Sequence, residues 1–225
     1  GELPGFAEGA WWVQDAAAGI PARLFGDLDG KTALDLCAAP GGKTLQLCAA
    51  GGRVTAVDSS AARTERLRDN LRRMKFSADI VTEDVLALST TALFDAVLLD
   101  APCSSTGTIR RHPELPYLKS EAQIASLAVL QRKMLLSAAL RVRPGGMLVY
   151  CTCSLEPEEG EEQISRFLSH NTDFSLVPVV ASNHGLPEAS VAEAGWLRIL
   201  PQMSIGGMQG LDGFFAAAMR RRCSE

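Results

Sequence analysis

Ala33-Leu34-Asp35-Leu36-Cys37 runs directly into Ala38-Ala39-Pro40-Gly41-Gly42-Lys43-Thr44, and the reading of this stretch decides the fold. A short apolar run that stops at a turn holding one proline and two glycines has the pattern of a buried strand, with a helix starting beyond it. Arg53-Val54-Thr55-Ala56-Val57-Asp58 repeats the pattern. Ser59 and Ser60 then offer N-caps to a helix whose Leu67, Leu71 and Met74 share one face. Strand, helix and strand make a β-α-β unit. A weak strand at 78–82 and a strongly apolar one at Phe94–Leu99 continue the alternation, which predicts an α/β fold with a mostly parallel sheet covered by helices.

Further along, Ser120-Glu121-Ala122-Gln123 has capping-box spacing, and Leu127, Leu130, Met134 and Ala138 fall in one helical stripe. The spacing predicts a helix ending near Arg143, where Pro144-Gly145-Gly146 stops it. Met147–Cys153 is expected as a fifth strand, and Pro157 with Glu158, Glu159, Glu161 and Glu162 as the acidic first turn of the next helix. Leu197–Leu200 and Phe214–Met219, separated by a glycine-rich loop, are expected to close the sheet as an antiparallel C-terminal strand pair. The 225 residues fit one domain, with residues 1–30 as a lead-in to a core at 31–225.

Composition narrows the function classes. With 47% hydrophobic and 21% charged residues the chain suits a packed core rather than extensive disorder. No apolar run reaches membrane-spanning length and the opening residues do not read as a secretory signal, so a cytoplasmic protein without a membrane partner is expected. The six cysteines are then expected as reduced thiols, free for chemistry. Cys151-Thr152-Cys153 is too tight for the usual zinc pair, and His112, His170 and His184 are scattered, so no metal site is expected. A net charge of −4 gives no long-range attraction to a polyanion, and contacts to nucleic acid fall to local basic clusters or another domain.

The turn at 38–44 lets backbone approach a ligand, because glycine removes the side chains that would block it. In open α/β sheets, ligands bind at the carboxyl ends of the strands, and an acid about 20 residues on typically holds ribose hydroxyls; Asp58 fills that place. Gly42-Lys43-Thr44 resembles the end of a phosphate-binding loop, but that motif needs glycine where Cys37 stands. The dinucleotide pattern of three spaced glycines is weakened in the same way, though spacing alone leaves it open. A turn that merely joins strand to helix is the remaining alternative.

Two further strands end in chemistry. Asp100-Ala101-Pro102-Cys103-Ser104 and Cys151-Thr152-Cys153-Ser154 leave the same edge of the sheet, so Cys103 and Cys153 are expected to face one cleft with Asp58 and the glycine turn. Residue physics does not say which thiol attacks, since either can have a depressed pKa. Cys151 lies deeper and reads as packing, as do Cys37, Cys48 and Cys223. Arg110-Arg111-His112-Pro113 reads equally as a phosphate contact or as a solvated surface. The helix with Arg63, Arg66, Arg68, Arg72, Arg73 and Lys75 has part of its charge answered by i, i+4 pairs with Glu65 or Asp69.

Together the motifs at 35–44, 100–104 and 152–154 resemble the Sun (Fmu) family of RNA cytosine-5 methyltransferases, and the likeness covers nearly the whole chain. Trp12-Val13-Gln14-Asp15 and Asp212-Gly213-Phe214-Phe215 are similar to the catalytic domain of the bacterial members acting on small-subunit ribosomal RNA. The resemblance implies a class I S-adenosylmethionine-dependent methyltransferase fold, Rossmann-like, with S-adenosylmethionine as cofactor and RNA as substrate, ribosomal RNA first, with tRNA or another RNA, or a non-catalytic RNA-binding protein on the same scaffold, as the alternatives. It implies that Cys37, Ala38, Ala39, Pro40, Gly41, Gly42 and Lys43 wrap the methionine part of the cofactor, that Asp58 binds the ribose and that Asp84 lies near the adenine. Asp100 would stand between cofactor and base, Cys153 would attack carbon 6 and Cys103 would assist release. The family's usual serine is replaced here by Cys151. Its bacterial ribosomal members carry an N-terminal RNA-binding helical domain, so the chain is expected to be a fragment lacking it.

Overall fold

The computed structural model describes residues 3–223. Its elements, in chain order, begin with α1 (Ile20–Arg23), β1 (Thr32–Leu36), α2 (Gly42–Ala49), β2 (Arg53–Val57), α3 (Ala61–Met74) and β3 (Asp79–Val81). They continue with β4 (Phe94–Asp100), α4 (Leu115–Leu118), α5 (Glu121–Ala139), β5 (Val142–Thr152) and α6 (Glu161–His170). β6 (Phe174–Val177), β7 (Leu197–Ile199) and β8 (Phe214–Arg221) complete the sheet. The strand order is β3-β2-β1-β4-β5-β8-β6, with β7 also paired to β8. β3 to β5 run parallel, and β8 is antiparallel to β5, β6 and β7. The expected mostly parallel α/β sheet with an antiparallel C-terminal side is what forms.

Strand periodicity divides the core in two. Leu34, Leu36, Val97, Leu99, Leu148 and Tyr150 face the side covered by α5 and α6. Ala33, Leu98, Val149 and Cys151 face the other side with Ile20 of α1 and Leu47 of α2. Each fully buried leucine on these faces contributes about 1.5–3 kcal/mol relative to exposure. Capping follows the letters: Ser60 Oγ accepts from Arg63 N at the start of α3, and Ser120 with Gln123 forms a capping box on α5.

Three boundaries differ from expectation. α5 ends at Ala139 and β5 begins at Val142, so Pro144-Gly145-Gly146 sits inside the strand rather than ending the helix. The register shifts between Phe94↔Val142 and Ala96↔Met147, and this bulge takes up the proline, which has no N–H to give the ladder. Pro157–Glu159 is a separate 3-10 turn ahead of α6, and Glu159 in it is fully buried. The C-terminal pair is part of a larger set, since β8 is sandwiched between β5 and a further strand, β6, not expected from the sequence.

The carboxyl ends of β1, β2, β4 and β5 therefore share one edge. Just below it, Asp35 points from β1 toward α2, where Thr44 Oγ1 donates to its Oδ2 at 2.6 Å. Burial pushes this carboxyl up to about 7, against the Thr44 hydrogen bond that lowers it. An aspartate raised above its unfolded value of about 4 binds protons more tightly in the folded chain, so its contribution is complete below that value and disappears as pH rises through the folded pKa. Stability measured by urea unfolding should fall between pH 4 and 7 by an amount on the order of a few kcal/mol, and Asp35→Asn should flatten that fall.

Candidate active site

The turn after β1 is held from several sides. Cys37 takes a left-handed φ of 62° and Gly41 one of 109°. At Gly41 the left-handed φ favours glycine, and an added Cβ would stand 2.4 Å from Leu67 Cδ1, so that the α3 leucine would have to move. Ala39 N donates to Asp58 Oδ2 at 3.2 Å, Ser60 N donates to Asp58 Oδ1 at 3.1 Å, and the Arg63 guanidinium lies 3.3 Å from the same carboxylate. Arg63 also donates to the Ala39 carbonyl, and Asn70 Nδ2 donates to that of Pro40 at 2.9 Å. Asp58 is thus buried, oriented and set against the turn. Asp84 is exposed and caps a 3-10 turn, its Oδ1 accepting from Leu86 N at 2.8 Å.

Two clefts open at this edge. The smaller, about 310 Å³, is lined by Cys37, Ala39, Asp58, Asp84, Asp100 and Cys103, with Val85, Leu130 and Met134 as its apolar wall. The larger, about 900 Å³, takes in Ala38, Pro40, Gly42 and Lys43 with Trp12 and Phe214. The turn is therefore shared between the clefts rather than committed to one. Ala39, Asp100 and Cys153 line both, which makes them the junction.

Lys43 reaches that junction from α2. Its Nζ donates to Asp100 Oδ2 at 2.8 Å and lies 5.2 Å from the centroid of the Phe214 ring, with the side chain only 10% exposed. Burial opposes the charge, but the Asp100 carboxylate outweighs it and holds the Lys43 pKa above its ordinary value. On the other side of Asp100, Cys151 Sγ lies 3.5 Å from Oδ1. Burial, and after it the Asp100 charge, push that thiol well up, so Cys151 packs as an inert thiol.

Cys103 and Cys153 stand apart from the other thiols. Their sulfurs are 3.5 Å apart, and Ser105 Oγ lies 3.5 Å from Cys153 Sγ. The hydrogen bond from Cys103 lowers the Cys153 pKa below the usual thiol value, against burial and with help from Ser105. The same contact, together with burial, raises Cys103. Burial also raises Cys37, and pushes Cys48 up to about 11. The shifts run in opposite directions at two residues that the sequence left equivalent, down at Cys153 and up at Cys103.

Residues 24–220 match the family described as 16S rRNA methyltransferase RsmB/F. The chain belongs to that family. Ribosomal RNA small subunit methyltransferase B of Sodalis glossinidius (strain morsitans) is 43% identical over 224 residues, which cover 97% of this chain and 48% of that relative. The chain spans about half the length of the curated relatives it matches. NSun6 from Pyrococcus horikoshii, solved with SFG, superposes with a TM-score of 0.83 at 27% identity, over 99% of this chain and 56% of the other. N-methyltransferase NodS from Bradyrhizobium japonicum WM9, at 17% identity and TM-score 0.53 over 90% and 91% of the two chains, shares the fold alone. The architecture is that of class I methyltransferases, and the cofactor that goes with this family is S-adenosylmethionine. The smaller cleft suits it chemically. Two carboxylates, Asp58 and Asp84, can accept from hydroxyls and an exocyclic amine, while Val85, Leu130 and Met134 offer a flat ring an apolar wall.

In this RsmB/F chain the loop beyond Cys103 is bound down on both sides. Gly107 N donates to Cys153 O at 3.0 Å, and Gly213 N donates to Gly107 O at 2.7 Å. Arg111 chelates the buried Asp212 through Nε, 3.1 Å from each oxygen, and Nη2, while Arg110 lies 3.6 Å from Asp15 and 3.5 Å from Asp212. These arginines are already paired with acids, which favours a loop-pinning role over an open phosphate hook. On α3 the pairs are Arg68–Glu65 and Arg72–Asp69 at i, i+3 rather than i, i+4. Sequence reasoning missed Ser105, Asp212 and Glu159 as parts of the site, since their partners lie tens of residues away in the chain. At Gly107 a Cβ would sit 2.1 Å from Gly213 O and 2.8 Å from Cys153 O. Gly107→Ala should therefore cost about 1–3 kcal/mol of stability, read by urea unfolding, as overpacking against fixed backbone does.

Proposed function

We propose that this chain transfers a methyl group from S-adenosylmethionine to carbon 5 of a cytosine in RNA, with small-subunit ribosomal RNA as substrate. The substrate follows the names of the curated relatives. The observation that carries the chemistry is the lowered Cys153 thiol, 3.5 Å from Cys103, at the junction of the two clefts beside Asp100.

Carbon 5 of cytosine is a poor nucleophile until a group adds at carbon 6. Cys153 as thiolate adds there, and the electron pair moves onto carbon 5. Bound S-adenosylmethionine would supply an electrophilic methyl, which that electron pair takes up onto carbon 5 as the methyl's bond to the sulfonium breaks. Carbon 5 then loses its proton to a base at the cleft, the ring double bond re-forms and the bond from carbon 6 to the Cys153 sulfur breaks, returning Cys153 as thiolate. Cys103 assists by donating a hydrogen bond to the departing sulfur, the same contact that lowers the Cys153 pKa. Asp100 engages the N3 side of the ring, and the Lys43 ammonium bound to it offsets negative charge that builds during attack. The target base leaves any stack to reach the junction. In the smaller cleft Asp58 holds the ribose, Asp84 lies near the adenine, and Cys37 and Ala39 border the methionine part, with Ala38, Pro40, Gly42 and Lys43 of the same turn on the side of the larger cleft.

Asp58→Ala should weaken S-adenosylmethionine binding by about 1.5–3 kcal/mol in calorimetry, the scale of a hydrogen bond to a charged group. Unchanged affinity in a folded variant removes Asp58 from the cofactor site. The thiols should differ in kind on a denaturing gel with labelled RNA and S-adenosylmethionine. Cys153→Ala should give neither methyl transfer nor adduct, whereas Cys103→Ala should accumulate a protein–RNA adduct that survives denaturation. The reverse pattern exchanges the two roles.

A further inference from the structure

Glu159 lies fully buried in the 3-10 turn between β5 and α6, and its carboxylate has no place in the chemistry above. Ser104 N donates to its two oxygens at 2.9 and 3.1 Å, the Ser104 hydroxyl donates to Oε2, and Gln131 Nε2 donates to Oε1 at 2.9 Å. The same Gln131 amide donates to Pro102 O at 2.9 Å. Pro102 and Ser104 flank Cys103 in the chain, so both neighbours of that thiol are fixed by one network. The Glu159 carbonyl accepts from the Tyr150 hydroxyl at 2.8 Å and from the Thr152 hydroxyl at 3.4 Å. Thr152 immediately precedes Cys153. One residue thus grips the Cys103 loop with its side chain and the Cys153 strand with its main chain.

A carboxylate withdrawn from water is costly unless its lone pairs are filled, and packing alone would be served by an apolar residue. What the charge adds is direction: hydrogen bonds to an ionised acceptor are shorter and about twice as strong as neutral ones. We infer that Glu159 is a positioning residue for the release step, holding the Cys103 sulfur at its working distance from Cys153. The inference rests on the thiol roles proposed above.

The test compares the parent with Glu159→Gln, Gln131→Met, Cys103→Ala and Cys153→Ala, using labelled RNA and S-adenosylmethionine in single turnover. Adduct is read on a denaturing gel, and fold by cofactor affinity and melting temperature. Glu159→Gln keeps size but cannot accept from both Ser104 groups and Gln131 as the carboxylate does. It should form adduct at the parental rate and release it about tenfold more slowly, as a displaced catalytic group does. Gln131→Met, which keeps the carboxylate and loses the tie to Pro102, should accumulate less adduct than Glu159→Gln but more than the parent. Parental release in folded Glu159→Gln overturns the inference. So does a parallel fall in formation and release that follows melting temperature, the result expected of packing alone. If Glu159→Gln does not fold, Gln131→Met decides: slowed release supports the inference and parental release overturns it. Failure of Cys103→Ala to accumulate adduct overturns the thiol assignment and this inference with it, whereas failure of the Glu159 variants alone leaves the Cys103→Ala adduct standing.

Discussion

β4 and β5 run parallel with Asp100 opposite Cys151, and Ala101 N continues the ladder to Cys151 O at 3.0 Å. That register brings the two loops out side by side. It sets Cys151 against Asp100 inside the sheet and, one pleat further, lets Cys153 meet Cys103 outside it. A slip of one residue would turn every side chain of β5 to the opposite face, separating Cys153 from Cys103 and breaking both core layers at once. The bulge at 144–146 protects this register from below, because it absorbs the proline and its glycines before the paired run from Met147 begins.

Charge at the strand edge is arranged around the same pairing. Asp35, Asp58 and Asp100 come from three neighbouring strands, and each is answered differently: by a Thr44 hydroxyl, by backbone amides with Arg63, and by the Lys43 ammonium. Only Asp100 keeps its side chain a third exposed, so of the three it is the acid available to a ligand from both clefts. The exposed arginines near the mouth pair with Asp15 and Asp212, which tightens the loop over Cys153 while leaving little unpaired positive charge there. With a net charge of −4, such a surface draws RNA weakly by charge alone.

Much of this was legible in the letters. The apolar runs at 33–37, 53–58 and 94–99, each closed by a turn or an acid, determined a parallel α/β sheet, because strand burial and turn chemistry are local properties of the chain. Cys103, Cys153 and Asp58 fell at strand ends by the same counting, and parallel neighbours must expose those ends together. Boundaries were less legible where one residue type serves two purposes. Pro144-Gly145-Gly146 ends a helix as readily as it forms a bulge, and only pairing with β4 chose the bulge.

Tertiary structure alone decided the rest. Nothing local distinguishes Glu159 from Glu158 or Glu161, yet one is buried against Ser104 while Glu158 is in solvent and Glu161 holds Arg198. Equally, two cysteines at equivalent strand ends carry no label saying which ionises. What sets them apart from the other thiols is a 3.5 Å contact between their sulfurs, and it exists only once chain segments 50 residues apart are brought together. Sequence determined which groups reach the edge of the sheet, since that follows from periodicity. Which of them is charged, donated to or left in reserve depends on partners distant in the chain, and those are set by packing.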